Sequence, residues 1–466
     1  MGNAIISRGG GSISLAGDGS ALVRVQTFEG ATVTATSGTK VFTKSSTGLV
    51  ELSLSYGTWT ITSTSSEMTL SAELVIDTLK VYELNLCGRT YGISIDMSNS
   101  DPESAVTYIG MAEGMTPLSC NLSTGACDYG DWEDIIKEIF GCKPCLYLNG
   151  ARSVYLNPND YSKTEAGATA DITSGSAGDV MVEFKRTWYR YAKDGDTLTF
   201  EVSDYDRTSE GFVSSAFYSM DGNATIKDYM YYGAYEGYNA SNKLRSLSGK
   251  TPTGNVSYTN NRTYCQALGS SYGMEDYCKR QYILGLLMLV TKSRGIQAAI
   301  GHGRIGSNSS AATTGTLNTY GLFAGFSDET KSVKCFGIEN MWGSMYNWCD
   351  GIVTTSGTTL GLKACPPYND TGSGYTTVSD GISRGSWLYA TAMTPVLNGA
   401  AAVASTAQAS AVGWPDGVVV NSSAGYVAYV GGHWSIALDL SGPFYVGVAV
   451  SPSNTSVDFG ARVVAA

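Results

Sequence analysis

The last third of the chain commits its largest aromatic residues to three glycine-rich clusters. Phe336-Gly337-Ile338-Glu339-Asn340-Met341-Trp342-Gly343-Ser344-Met345-Tyr346-Asn347-Trp348-Cys349-Asp350-Gly351 comes first, then Ser383-Arg384-Gly385-Ser386-Trp387. The chain closes on Gly431-Gly432-His433-Trp434 and Phe459-Gly460-Ala461-Arg462-Val463-Val464. Between them the sequence after residue 300 is rich in Gly, Ser, Thr and Tyr, which predicts short elements joined by long ordered loops, a rare arrangement in compact domains. Such loops need a few large side chains to pin them. Trp342, Trp348, Asp350, Arg384, Trp387, Trp434 and Arg462 are expected as that frame.

The rest of the composition agrees. Only 15 % of the 466 residues are charged, while Gly (56) and Tyr (30) are abundant, so strands, tight turns and polar loops are expected rather than helical bundles. This length predicts two or three domains. The formal charge of −11 and the scatter of Lys and Arg argue against nucleic-acid binding, which needs a basic face. No stretch approaches the ~18 apolar residues of a membrane span, and the N-terminus carries neither an apolar leader core nor a myristoylation pattern. Synthesis in a cytoplasm without membrane insertion is therefore expected.

Residues 1–19 are Gly/Ser-rich and are expected to form a flexible or attachment segment. Residues 20–87 alternate apolar with polar or small residues in five short runs, Ala21–Gln26, Thr32–Thr36, Lys40–Lys44, Val50–Leu54 and Thr58–Ser63, punctuated by Gly30, Gly38, Gly48 and Gly57. A short amphipathic helix is predicted over Trp132–Phe140 on the spacing of Trp132, Ile135, Ile136 and Ile139, with Gly141 as its stop. Glu275 to Arg294 is the one strong helix, acidic at its start, basic at its end and apolar nearly all round from Tyr282 to Val290, hence buried.

Of the ten cysteines, Cys142 and Cys145 form the one suggestive spacing, and Cys120 and Cys127 would complete a four-thiol set. The spacing matches no zinc module and the redox context of a strand opening into a helix is missing, so all four read as buried free thiols, with no metal and no cofactor.

The Trp/Gly clusters and the Gly-x-Arg-Val ending resemble the C-type-lectin fold in its formylglycine-generating-enzyme-like branch, which packs loops over a small antiparallel sheet. That resemblance implies an α+β class, with a C-type-lectin-like domain over 88–466. Residues 48–62 resemble the final strands of carboxypeptidase-regulatory-like, immunoglobulin-type sandwiches, implying a small all-β spacer over 20–87. Gly114–Pro117, Tyr147–Asn149, Asp171–Ser174, Gly178–Met181, Gly233–Tyr238, Lys243–Pro252 and Asn369–Tyr375 are similar to a tail-protein family of phages infecting Gram-positive gut bacteria. Members include tail-tip receptor-binding proteins, some diversified near the C-terminus by retroelements. The resemblance implies a virion protein, made in the bacterial cytoplasm, homotrimeric and joined to other tail proteins. Its receptor would be a host-surface protein or glycan.

The same scaffold serves catalysts, and their demands can be checked. Three-histidine iron chemistry cannot be built from two histidines, His302 and His433. A copper site near the C-terminus needs thiols, and the last cysteine is Cys365. Cys335 and Cys349 are expected to pack beside the tryptophans, Asp350-Gly351 to form a turn with a structural calcium ion left open, and His433 to serve recognition. The expectation is a binder and not an enzyme. Residues 444–450 alternate, which predicts a half-buried strand with Phe444, Val446, Val448 and Val450 inside and Tyr445, Gly447 and Ala449 outside. The predicted binding face joins those outer positions to Tyr426, Tyr429, His433, Ser435, Ala437, Asp439, Asn454 and Ser456. A structural tail protein and an undiversified surface adhesin stay open as alternatives.

Overall fold

The computed structural model describes residues 6–7, 20–65, 69–306, 308–410 and 414–466; the side chains of Ile6, Ser7 and Asp439 lie outside the description. Apart from Ile6–Ser7, which pairs antiparallel with Leu84 and Glu83, the expected attachment segment lies outside the described residues. Strands dominate the regular structure, and the chain divides into two compact units.

The first unit comprises Met1–Ile93, Tyr108–Met115 and Glu201–Arg207. Its spine is a single 17-residue strand, Ala21–Ser37, paired antiparallel along its length with Lys40–Leu54. The other edge of that strand is shared. Val81–Leu86 runs parallel to its first half and Gly57–Thr64 antiparallel to its second, with Thr69–Ile76 beyond. The sequence reading breaks each long strand in two at Gly30 and Gly48. Instead the ladder continues through register shifts between Gln26, Glu29 and Thr32, with Gly30 and Gly48 at positive φ. A glycine at positive φ makes a bulge that bends a strand without ending it. Inward residues such as Val23, Val33, Leu52, Trp59, Ile61 and Leu84 share one core.

The second unit holds Ser94–Thr107, Thr116–Phe200 and Thr208–Ala466. One antiparallel sheet runs Asp160–Thr164, Ala151–Asn157, Lys143–Leu148, Asp179–Lys185, Tyr229–Gly233, Val463–Ala465, Tyr272–Met274. A second runs Thr376–Ser379, Thr359–Leu362, Tyr346–Ser356, Val427–Val430, Val446–Val450, Gly417–Val420, Leu388–Val396, Ala401–Gln408, with Phe459–Ala461 parallel to Tyr346–Trp348. Side chains of both sheets meet in one apolar cluster, where Cys145, Tyr147, Met181 and Val463 join Trp348, Val427 and Tyr429. The opposite face of the second sheet is covered too, with Ile352, Leu362, Val430 and Val448 packed in one cluster with Tyr277 and Cys278.

Those last two residues open the strong helix, Tyr277–Thr291, whose every residue is buried. Asp276 caps it, accepting the Lys279 amide at 2.9 Å, and Lys292 ends it in the left-handed region. The shorter predicted helix is tighter at one end and wider at the other. A 3-10 turn at Gly130–Trp132 precedes a π-helical turn at Ile135–Ile139, closed by the Phe140 amide on the Ile135 carbonyl. Trp132, Ile136 and Ile139 are buried and Gly141 takes positive φ, so the apolar stripe was read in the right place. Helix Tyr258–Gln266 escapes pattern reading because Asn and Thr fill it, residues of modest helix propensity. Ser257 caps it.

The cysteine reading is corrected in part. Cys120 and Cys127 are joined by a disulfide, because the hairpin they belong to places them directly opposite each other. Cys142 and Cys145 are buried separate thiols; Cys142 donates to the Phe336 carbonyl, and burial pushes both thiols well above their ordinary range.

Arg462 lies between the chain's last two strands, Phe459–Ala461 in one sheet and Val463–Ala465 in the other. Its fully buried guanidinium donates to the carbonyls of Gly233 (2.8 Å), Glu339 (2.7 Å) and Asn340 (3.0 Å). Arg462→Leu leaves three buried carbonyls without a donor and is expected to lower stability by roughly 3 kcal/mol or more. Arg24→Leu, which breaks a solvent-exposed pair with Glu51, is expected to cost ~0–1 kcal/mol. Urea unfolding of both variants measures the difference.

Candidate functional site

The first Trp/Gly cluster enters the second sheet at Tyr346, and strand alternation puts Tyr346 and Trp348 on the same face. Tyr429 and Phe459 arrive from the two flanking strands, and Tyr445 from the residue just before Val446–Val450. Tyr346 is the hub. Its ring centroid lies 4.8 Å from Tyr429, 5.4 Å from Tyr445, 5.1 Å from Phe459 and 4.6 Å from His433. Trp348 packs tilted against Phe459 at 4.5 Å, and its indole donates to the Val256 carbonyl. Contacts of this kind add to the area they bury and fix ring orientation. Burial holds the Tyr346, Tyr429 and Tyr445 hydroxyls neutral by raising their pKa values.

Several expected positions occupy other places. Tyr445, predicted outside, is 0 % exposed, and Gly447 is buried with it. The alternation holds from Tyr445 to Ala449 but fails at Val450, which packs with Ala449 on the Tyr429 side past a register shift. Val446–Val450 is an interior strand between Val427–Val430 and Gly417–Val420, and both its faces are covered. A Cβ on Gly447 would run into the Tyr429 ring. Tyr429 is buried as well, whereas Ala449 is half-buried. The converse holds for Trp387. Expected in the frame, it is 45 % exposed, with one face stacked on Tyr445 at 5.8 Å.

The remaining frame residues are buried except Arg384, which is half-buried, and each has visible partners. Trp342 donates to the Gly301 carbonyl, the Trp434 amide to the Ser344 carbonyl, and Arg384 bonds the Gly357 carbonyl and pairs with Asp380 at 2.9 Å. Asp350 is not in a turn. It sits within Tyr346–Ser356, where Arg262 pairs with it at 2.6 Å and the Tyr258 hydroxyl donates to it at 2.6 Å. Arg262 also pairs with Asp370, so a fixed guanidinium occupies the place considered for calcium.

Ser435 and Ala437 are exposed on the 431–442 loop, and Tyr426, His433, Asn454 and Ser456 are half-buried; the Asp439 side chain lies outside the description. The loop is held by main-chain bonds. Gly306 donates to the Ile436 carbonyl, Asn308 to the Trp434 carbonyl, and Gly442 to the Gly431 carbonyl. His433 Nε2 stands 3.9 Å from Asp458 Oδ2, with its ring between Tyr346 and Trp434. Desolvation lowers the His433 pKa and Asp458 opposes the shift, so the neutral form predominates at pH 7.

Pattern reading of the C-terminal region missed Tyr346, Asp458 and Phe459. Tyr346 was findable from its i, i+2 relation to Trp348; nothing in the spacing marks Asp458. Cys335 and Cys349 are fully buried, and burial pushes the Cys335 thiol up to about 12. The arrangement is a rigid bank of rings with one open indole and a polar His–Asp end, suited to holding a ligand surface.

No protein-family model matches the sequence, and no curated protein matches it as a relative. Among solved structures, PvdO from Pseudomonas aeruginosa is similar at 11 % identity over 64 % of this chain and 97 % of its own, with a TM-score of 0.30. The P3c and I1 variants of Major Tropism Determinant each match at 11 % identity over 88 % of this chain. They are covered over 81 % and 80 % of their length, with TM-scores of 0.24 and 0.25. At these values the likeness assigns no activity and no partner to this chain.

Gly447→Ala is expected to lose roughly 2 kcal/mol by overpacking against Tyr429, while Ser435→Ala stays within about 0.5 kcal/mol. Denaturant midpoints at constant slope check both. Asp416 accepts the Phe444 amide at 2.7 Å, and burial raises its carboxyl to about 7. The folded state therefore binds that proton more tightly than the unfolded chain. The associated stability is full below the ordinary carboxylate range and is lost as pH rises toward 7. Asp416→Asn is expected to flatten that decline in a pH series of unfolding curves.

Proposed function

We propose that this chain is a phage tail-tip receptor-binding protein that adsorbs to the surface of a bacterial host. Residues 88–466 form its C-type-lectin-like binding domain, 20–87 an immunoglobulin-like spacer and 1–19 an attachment segment. The observation that carries the reading is the ring bank. Trp387 presents an open face while its other face rests on Tyr445, which Tyr346 links to His433. An aromatic side chain already immobilised by its neighbours loses little entropy on binding, the property that makes such residues contact hot spots. The ordered tail-protein phrases between Gly114 and Tyr375 support the same reading. Buried, protonated thiols at Cys335 and Cys349 speak against an oxidase.

Within this reading the changeable positions are Tyr426, His433, Ser435, Ala437, Asn454 and Ser456, with Tyr445 and Gly447 assigned to the support. Retroelement diversification would act on those loop positions. Trimerisation and attachment to other tail proteins would place several copies on each virion and convert weak single contacts into avid adsorption.

Fluorescently labelled full-length protein, titrated onto a panel of Gram-positive gut bacteria, is expected to bind at least one strain saturably. Trp387→Ala is expected to weaken that binding by about tenfold, or ~1.4 kcal/mol, while the variant still unfolds cooperatively with a midpoint lowered by the loss of its contact with Tyr445. Binding to no strain, or equal binding by the variant, would overturn the assignment.

A further inference from the structure

A concavity of about 460 Å³, which shares no lining residue with the ring bank, lies among the loops between Arg304 and Ser332. In a chain of net charge −11, its lining carries two cations, Arg304 and Lys331, and no carboxylate. Arg304 is held in place by its own backbone contacts. Nε donates to the Ser310 carbonyl at 2.8 Å and Nη1 to the Thr330 carbonyl at 2.9 Å. Among the described residues Nη2 meets no acceptor, so that edge of the guanidinium is open.

Lys331 is exposed; the neighbouring Asp328 carboxylate accepts from the Thr330 amide and hydroxyl at 2.9 and 2.7 Å and also feels the Lys331 charge, which helps lower its pKa. The wall also holds Ser332, 5 % exposed, whose hydroxyl has no hydrogen-bond partner among the described residues. At the rim Tyr320 is 40 % exposed, with its ring set edge-on against Phe326 at 5.8 Å.

We propose that this concavity binds a sugar unit bearing an anionic group, either the carboxylate of a uronic acid or the phosphate of a sugar phosphate. The chemistry is divided among the lining groups. The anion faces the open edge of Arg304 and the Lys331 ammonium, which give charge-assisted hydrogen bonds. The Tyr320 ring offers its apolar face to the C–H face of the sugar. The volume falls in the range of small-molecule sites. This site goes beyond the attachment reading and stands without it, since none of its residues belongs to the ring bank.

Calorimetric titration of the full chain with glucuronic acid, glucose 6-phosphate, glucose and inorganic phosphate tests the proposal. Saturable binding of at least one acidic sugar is expected, with glucose and inorganic phosphate each roughly tenfold weaker or more. Which acidic sugar binds more tightly distinguishes the carboxylate from the phosphate. Lys331→Gln, which alters an exposed side chain, is expected to weaken acidic-sugar binding roughly fivefold without moving the unfolding midpoint. Tyr320→Ala should weaken all the sugars while leaving inorganic phosphate unchanged. No saturation by either acidic sugar overturns the site. Glucose binding as tightly as both removes the anion, and phosphate binding as tightly as glucose 6-phosphate removes the sugar. Unchanged binding by both variants shows that the ligand sits elsewhere. Cell adsorption through Trp387 can fail without altering any of these titrations.

Discussion

Arg462 is the contact on which the second unit depends. The chain leaves one sheet at Ala461 and enters the other at Val463, so this residue belongs to neither and is buried between them. Its guanidinium reaches Gly233 at the end of a first-sheet strand, and Glu339 and Asn340 at the end of the short strand Ile338–Glu339 that opens the Trp/Gly cluster. Arg280 acts as its counterpart from the buried helix. It pairs with Glu275 at 2.9 Å and donates to the carbonyls of Met341 and Pro443. Two buried cations thus hold three separate stretches of backbone, at Gly233, Glu339–Met341 and Pro443, through their carbonyls. Long loops leave carbonyls that no ladder satisfies, and an arginine with five donors in a fixed fork can satisfy several at once.

Buried carboxylates complete this polar interior. Glu236 accepts the Ser344 hydroxyl at 2.7 Å and the Met345 amide at 3.0 Å, and burial raises its carboxyl to about 7. Glu339 takes the amides of Gly315 and Leu317, and Asp350 takes Arg262 and Tyr258. Each group binds backbone or side chains that a regular element would not leave exposed to it. The tryptophans fill volume around these contacts. They mark where the irregular segments converge, and the arginines and carboxylates fix how they converge.

How much of this was legible follows from the range of each signal. The existence of helix Tyr277–Thr291, its start at the Asp276 cap and the burial of Tyr282–Val290 are local properties of the sequence and were read correctly, whereas the burial of Lys279 and Arg280 in its first turns was not. The strand positions of the first unit were read as well, but their continuity was not, because a glycine that ends a strand and one that bends it look alike in sequence. Tyr445 and Gly447 show the harder limit. Alternation identifies two faces of a strand, yet burial of each face is decided by partners far away in the chain, here Tyr346 and Tyr429 on one side and the helix on the other. The Cys120–Cys127 pairing likewise depends on a hairpin register that spacing alone does not specify. In the same way, Asp350 met its cation through Arg262, which lies in the helix that propensity did not reveal.

These constraints decide where recognition can be placed. Tyr445 cannot be altered without disturbing the rings of Tyr346, Tyr429 and Trp387, so the strand itself is poor ground for changing specificity. The 431–442 loop differs in kind. Its position is set by main-chain donors and acceptors, at Gly306, Asn308, Gly431 and Gly442, and those bonds do not depend on which side chains Ser435 or Ala437 carry. A loop held by its backbone tolerates replacement of its side chains, because the folding energy and the contact surface are carried by different atoms. A binding surface that must change its ligand without losing its fold needs that separation. Here it is present between the tryptophans, on the loop next to His433, and absent on the strand beneath it.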